Sequence, residues 1–524
     1  MTNLNNNAAV SSNKNCNQIE LNPVKAVFEN TQTVASLGEV HFIGIGGAGM
    51  SVLAEMLHEE GVKVSGCDRE YNGHTQSLEK LGIKISIGQS ASHVDNANVL
   101  VYSSAIKPNN PEIVAAASKN VKLVHRSDIL ALLLSEKRGV TVAGAHGKTT
   151  TSSLLAHILT TSGTDDLADP SYAIGGSIQA SDGSVIDGGH AGNGIVMVAE
   201  ADESDGSFEK YSPSIAIVTN AEADHLDHYG SSERYREAFV EHVSHAVNNV
   251  IICAEDEGAR KVLEAMPDNI LNKTIAYGNL DTWSLKLSSR VQKLAMFASI
   301  EHENEQAVSG REMFTLVLPE KILDEHAKCS NKVQVSLLIP GLHNALNASA
   351  AIVAAVLLGM NPEDAARGAE SFRGASRRFD IRGCVDGVTV VDDYAHHPTE
   401  IAALLRAARR KYTSSTLRVL FQPHLFSRTQ AFASEFAKSL ALADDVIVTG
   451  IFPAREKQED FPNINAETIV KAAKSQNLDV KIEAVDDMRE AASKLALRAK
   501  SGDVLLTVGA GSITAMTSVM LEAL

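Results

Sequence analysis

Apolar positions along this chain fall into short continuous runs, each closed by a polar or glycine-flanked turn and then by a helical period. Val62–Asp68, Ile83–Gly88, Asn98–Ile106 and Val121–Arg126 alternate with helical stretches at Ser51–Glu60, Thr75–Leu81, Pro111–Ser118 and Ser127–Ser135. Runs that are apolar throughout, rather than alternating, belong to strands covered on both faces. Strand and helix in strict alternation predict parallel sheets in an α/β chain. The order continues through a strand ending at Ala143, Gly194–Asp205, Ser214–Asn220, Asn249–Ala254 and Thr274–Gly278. It changes at Lys293–Ser299, Met313–Leu318 and Val333–Ile339, where alternation predicts an antiparallel edge. An Ala-rich helix follows at Ala348–Leu358. Strands at Val388–Val391, Leu417–Phe421, Asp445–Thr449 and Asp503–Val508 then predict another open sheet. Three α/β domains result, at 37–136, 137–372 and 373–524, behind an Asn-rich extension at 1–36 read as disordered. The 180–194 stretch, rich in Gly, Ser and Asp, reads as an exposed loop.

Two turns carry chemistry. The first strand runs into Gly44-x-Gly46-x-x-Gly49, and Asp68 closes the next strand where a ribose acid lies in dinucleotide-type folds. The second turn, Gly144-Ala-His-Gly-Lys-Thr149, joins a strand to a helix. That layout aims backbone N–H groups and a helix N-terminus at an anion. Lys148 is placed to reach the β/γ-phosphates and Thr149 to ligate Mg²⁺. The usual pattern puts a glycine at position 142, where this chain has Val142, so a bare strand-to-helix turn stays open.

Acids at 200, 202, 203 and 205 and the run Asn220–His228 follow the next two strands, on the edge expected for the Lys148 turn. Such oxygen donors suit Mg²⁺. A solvated acidic loop and, for His225, a surface histidine are the plain alternatives. Ser103 and Ser104 end a strand where open sheets hold ligands, or simply cap it. His424 and Arg428 follow a strand of the third sheet, Arg378 lies in the basic segment Ser371–Asp380 ahead of it, and all three suit anions.

Bulk properties narrow the choice. The net charge of −17 argues against general nucleic-acid binding. No apolar run approaches the ~18 residues of a membrane span. Five scattered cysteines without C-x-x-C spacing suggest reduced thiols in a cytoplasmic protein.

In order, Phe42–Ser51, Ser103–Pro108, Ala143–Thr151, Ala199–Asp205, Asp224–Asp227, Pro340–Asn347, Arg377–Asp380, Asp392–Glu400, Gln422–His424 with Ser427–Thr429, and Gly509–Ile513 resemble the Mur ligase family over nearly the whole chain. The resemblance implies N- and C-terminal Rossmann-like domains around a central P-loop ATPase-like domain. It implies ATP- and Mg²⁺-dependent joining of L-alanine to UDP-N-acetylmuramate through an acyl phosphate, in peptidoglycan synthesis, and so a part in cell shape and division. It places Gly144, Ala145, His146, Gly147, Lys148, Thr149 and Thr150 at the phosphates. Thr149, Glu200 and His225 fall at metal. His343 and Asn344 fall at adenine, Arg378 at phosphate, and Asp393 at ribose. Gly46, Gly47, Ala48, Gly49, Asp68, Ser103 and Ser104 fall at UDP. His396, His424 and Arg428 fall on the muramate–alanine side. Lys148, Glu200, His225, Arg378 and His396 are the residues expected to act on the reacting groups. A monomer or homodimer is expected, with no membrane or nucleic-acid partner. Gln89 and Leu425 depart from the family's pattern. A ligase recycling a preformed tripeptide shares these motifs. The first glycine turn with Asp68 would equally serve an NAD-dependent dehydrogenase.

Overall fold

Val40 and Phe42 are buried on one face of the first strand, His41 and Ile43 on the other, which is why its apolar run is unbroken. The computed structural model describes residues 19–29, 31–179, 185–186, 188–283, 286–302, 310–326 and 330–524. The first sheet is wholly parallel, in the order Lys84–Ile87, Lys63–Asp68, Glu39–Ile43, Val99–Tyr102, Lys122–His125. Chain order reverses between Glu39–Ile43 and Val99–Tyr102, and ligands of open sheets sit at such a reversal. The Gly44–Gly49 turn and Ser103 leave the sheet there.

The second sheet has ten strands. Arg138–Ala143 lies between Val196–Glu200 and Ile215–Val218, parallel to both, with Val142 beside Glu200 and Ala143 beside Val218. Register alone therefore brings Gly144, Ala201 and Thr219 out on one edge. The late alternating runs form Met296–His302, Glu312–Val317 and Lys332–Leu337, antiparallel to one another, with the first joined in parallel to Thr274–Gly278. Helix Leu342–Leu358 is buried almost all round and packs on helix Lys148–Ser162, its alanines allowing a close approach. The third sheet runs Asp380–Val385, Val388–Asp393, Val504–Val508, Leu417–Phe421, Asp445–Val448, Lys481–Ala484.

Two expectations need correction. Within the stretch read as an exposed loop, Gly189–His190 is an edge strand paired with Ser171–Ala173. Val185–Ile186 pairs with Ile178–Gln179, while residues 180–184 and 187 lie outside the described residues. Glycine carries no periodic side-chain signal, and helix Ala48–Glu59 covers this edge so closely that a Cβ on Gly189 would stand 3.1 Å from the Val52 carbonyl oxygen. The extension read as disordered is described only from residue 19. From there it packs on the first domain: Ile19, Leu21, Val27 and Phe28 join its core clusters, and the Val34 N–H donates to Glu136 Oε1 at 2.8 Å.

Candidate active site

The Lys148 turn begins two residues later than the usual pattern, at Gly144 in place of position 142. Val142 is an internal strand residue, and Gly144 (φ +141°) and Gly147 (φ +83°) supply the backbone angles that a side chain resists. Gly147 caps helix Lys148–Ser162, so the helix N-terminus opens onto the turn. Two residues just beyond the neighbouring strand Ile215–Val218 clamp it. Thr219 Oγ1 and Asn220 Nδ2 donate to the His146 carbonyl at 2.6 and 2.7 Å, and the His146 N–H donates to Asn220 Oδ1 at 3.1 Å. The His146 ring stands between Glu400 (3.1 Å) and Glu222 (3.3 Å). Burial opposes its charge, but the two carboxylates prevail and raise its pKa to about 10.

Lys148 Nζ bonds the Gly144 carbonyl at 2.6 Å and Glu203 at 2.8 Å. Burial works against the ammonium, yet Glu203, Asp202 and Glu200 keep it protonated. Glu203 is itself raised, because its burial outweighs the attraction of Lys148. The lysine is thus charged and pre-aimed along its own loop.

One cavity of about 580 Å³ lies among the three large sheets. Gly47, Ala48, Gly49 and Ser103 line it from the first, Lys148, Thr149, Glu200 and His225 from the second, and Arg378, His396 and Arg428 from the third. Arg428 reaches Asp224 at 3.4 Å, tying the third sheet to the second. His225 adopts the left-handed region (φ +51°), which turns its imidazole back so that Nε2 lies 3.8 Å from Glu203. Glu200 spends one oxygen on the Gly175 N–H at 3.1 Å. A hydroxyl, a carboxylate and an imidazole around one cavity, beside further buried acids, fit a hard divalent cation. His396 Nδ1 faces the Tyr394 carbonyl at 3.1 Å and Glu400 at 3.3 Å. Burial lowers its pKa, with Arg428 and Arg378 adding to the effect against Glu400, so the ring is neutral.

A second cavity of about 230 Å³ opens behind the turn, walled by Ile339, Leu346, Phe379 and Leu404 and edged by Thr150, His343, Asn344, Arg378 and Asp393. Burial drops His343 to about 4 and raises Asp393 to about 6, although Arg378 and the N–H groups of Phe379 (2.7 Å) and Ala395 (2.8 Å) favour the Asp393 carboxylate.

Gly46, Gly144, Asp68, Ser104 and His424 do not line either cavity. Asp68 accepts the Gly46 N–H at 2.8 Å, so it braces the glycine turn from behind. Ser104 bonds His125 and Asp205 at the joint between the first and second domains. His424 stacks on Phe452 with ring centres 5.7 Å apart. Sequence reasoning missed Arg126, which meets Asp202 at 2.6 Å on the cleft wall, and the roles of Glu203, Glu222 and Glu400. Glu203, Glu222 and Glu400 lie inside stretches already singled out. Arg126 carried no signal, since its partner comes from another domain.

Three family models match in sequence: Mur ligase family, catalytic domain, over residues 39–138; Mur ligase middle domain over 142–355; and Mur ligase, glutamate ligase domain over 377–511. Curated relatives include UDP-N-acetylmuramate–L-alanine ligases of Bifidobacterium adolescentis, 59% identical over 97% of this chain and 96% of that protein, and of Renibacterium salmoninarum, 40% identical over 93% and 96%. The crystal structure of the UDP-N-acetylmuramate–alanine ligase of Thermotoga maritima matches with a TM-score of 0.70 at 29% identity, covering 92% of this chain and 98% of that one.

Proposed function

The chain belongs to the Mur ligase family, and from that premise we propose that it joins L-alanine to UDP-N-acetylmuramate in an ATP-driven reaction. The observation that carries this reading is the single cleft onto which the Gly47–Gly49 turn, Lys148 and Arg428 all open. Hydride transfer has no use for a charged lysine on a phosphate turn. Tripeptide recycling is not favoured either, because the relatives near 59% identity carry the alanine-adding name.

ATP would lie with its base in the cavity behind the turn and its phosphates on Gly144–Thr150. The muramate carboxylate, brought up by the first domain, attacks the γ-phosphorus. The bond to the β-phosphate oxygen breaks, and ADP leaves with that electron pair. Lys148 and the helix N-terminus stabilise the charge that spreads over the phosphoryl oxygens, and such preorganised charge is the main lever in phosphoryl transfer. The amine of alanine then attacks the acyl carbonyl, and phosphate leaves. His396 would hold the departing amine proton at Nε2, since its Nδ1 is turned to the Tyr394 carbonyl. Thr149, Glu200 and His225 would hold Mg²⁺, which supplies further neutralisation of phosphate charge.

The direct test is phosphate release with ATP, UDP-N-acetylmuramate and L-alanine, run beside the tripeptide. Turnover with alanine is expected, and release only with the tripeptide would overturn the reading.

Asp393 gives a pH signature. Its folded pKa of about 6 lies above the ordinary carboxyl value of 3.8, so it favours the folded state most below pH 3.8 and loses that contribution as pH rises to 6. The carboxylate is the stronger acceptor for a ribose hydroxyl, because a charged acceptor makes the stronger hydrogen bond. ATP affinity is therefore expected to fall as pH drops through about 6. In Asp393→Asn, affinity should be about tenfold weaker at neutral pH, and that pH step should vanish. Calorimetric titration at a series of pH values reads both, and a step that persists in Asp393→Asn assigns it elsewhere.

A further inference from the structure

On the face of the first sheet opposite helix Ala48–Glu59, four side chains converge that the ligation cleft does not use. His41 comes from Glu39–Ile43, Cys67 from Lys63–Asp68, His93 from the short turn Ala91–Val94, and Glu112 from the first turn of helix Pro111–Ser118. Glu112 is fully buried at their centre. Its Oε1 meets His93 Nδ1 at 2.8 Å, and its Oε2 faces Cys67 Sγ at 3.2 Å and His41 Nε2 at 3.4 Å. One ligand atom from each of the four lies within 4.8 Å of all the others. His41 is only 2% exposed, and its Nε2 points into the group without a hydrogen-bond partner. Buried polar atoms seldom stay unpartnered without a reason. Ser65 Oγ holds the other ring nitrogen, Nδ1, at 2.9 Å, which fixes the orientation of the ring.

We infer that His41, Cys67, His93 and Glu112 form a binding site for a divalent cation of the zinc type. One thiolate, two imidazoles and one carboxylate make a four-donor set that a borderline-soft ion prefers, whereas magnesium selects oxygen. Bonds of ~2.0–2.3 Å about a tetrahedral ion put neighbouring donors roughly 3.3–3.8 Å apart, so the group needs to adjust by less than about 1 Å. Ser65 stands where an outer partner orients a ligating histidine. On binding, the Cys67 thiol proton passes to solvent, as does the proton of any charged imidazole, so affinity falls in acid. His93 is the partly exposed member, at 19%, and marks the entry side.

The site lies directly under the substrate turn of the first domain. The Cys67 carbonyl accepts the N–H groups of Gly44 at 2.8 Å and Ile45 at 3.0 Å, and the next residue, Asp68, braces Gly46. A cation held by Cys67 would fix the strand end on which that turn is hung.

The test titrates the full chain, stripped with a chelator, with Co²⁺. We expect about one ion per chain with a near-ultraviolet thiolate-to-cobalt band and the visible bands of tetrahedral cobalt, both lost on adding Zn²⁺. Cys67→Ser should lose the thiolate band and bind Zn²⁺ at least about 100-fold more weakly. His93→Ala, which alters the most exposed member, should weaken Zn²⁺ similarly while still binding ATP, showing that the fold is retained. Cys253 borders the nucleotide cavity, so Cys253→Ser is the control and should keep the band. Absence of the thiolate band in the unaltered chain, or its survival in Cys67→Ser, would mean that the four residues form only a buried hydrogen-bonded cluster around Glu112.

Discussion

Lys148→Ala is expected to lower phosphate release by a factor of about a thousand or more while UDP-N-acetylmuramate binding changes by less than about twofold. The split follows from geometry. Lys148 leans on the Gly144 carbonyl and is held charged by Glu203, Asp202 and Glu200, whereas the glycine turn of the first domain touches none of these. Removing the ammonium leaves Glu203 beside the phosphates without its nearest cation, while Asp202 keeps Arg126. Repulsion should therefore weaken ATP binding as well as slow the chemical step. Single-turnover phosphate release measures the step, and calorimetry with the UDP-sugar measures the binding. A variant that still turns over at more than about a tenth of the normal rate would show that the γ-phosphate lies elsewhere.

The second large effect concerns backbone rather than charge. A Cβ on Gly144 would stand 2.2 Å from Thr219 Oγ1 and 3.1 Å from the Asn220 backbone, at a φ of +141°. Thr219 cannot yield, because its hydroxyl is one of the clamps on the turn. Gly144→Ala should therefore displace the whole phosphate turn, at a strain of roughly 1–3 kcal/mol or more. Gly61 is the comparison: it too has positive φ (+81°) but nothing within 4 Å. Gly61→Ala should show a small fall in melting temperature and normal ATP affinity. Gly144→Ala should show a larger fall and no measurable ATP binding. Equal behaviour of the two variants would remove the contact with Thr219 from the account.

Much of this architecture was legible because both faces of the strands are buried. Strands of that kind announce themselves as unbroken apolar runs, and the glycines between them mark where the chain must turn. The strand–turn–helix at Gly144–Thr149 was readable despite Val142, since Gly-Lys-Thr marks the helix start even when the turn begins two residues later. The edge Gly189–His190 was not readable, because a two-residue strand containing glycine has no period to detect. Asp68 was read as facing ligand. The spacing rule gives its position at a strand end, but not that its carboxylate would turn inward to the Gly46 N–H. The pairs Arg126–Asp202 and His146–Glu400 were hidden for a different reason. Each joins residues from separate domains, and only the assembled cleft gives either partner its meaning.

The order of strands in the sheets also bears on how the chain is made. The first sheet is complete once Lys122–His125 has been synthesised, so it can close on the ribosome. The phosphate strand Arg138–Ala143 must wait for partners that arrive at Val196–Glu200 and Ile215–Val218. The third sheet waits longest: its inner strand, Val504–Val508, sits between Val388–Asp393 and Leu417–Phe421 yet is the last to emerge. Until then those two strands have no common neighbour, and their apolar edges are exposed to other nascent chains. Parallel pairings closed over such distances are slow to form and open to aggregation. Loss of the chain from Val504 onward would remove the middle of that sheet rather than its rim.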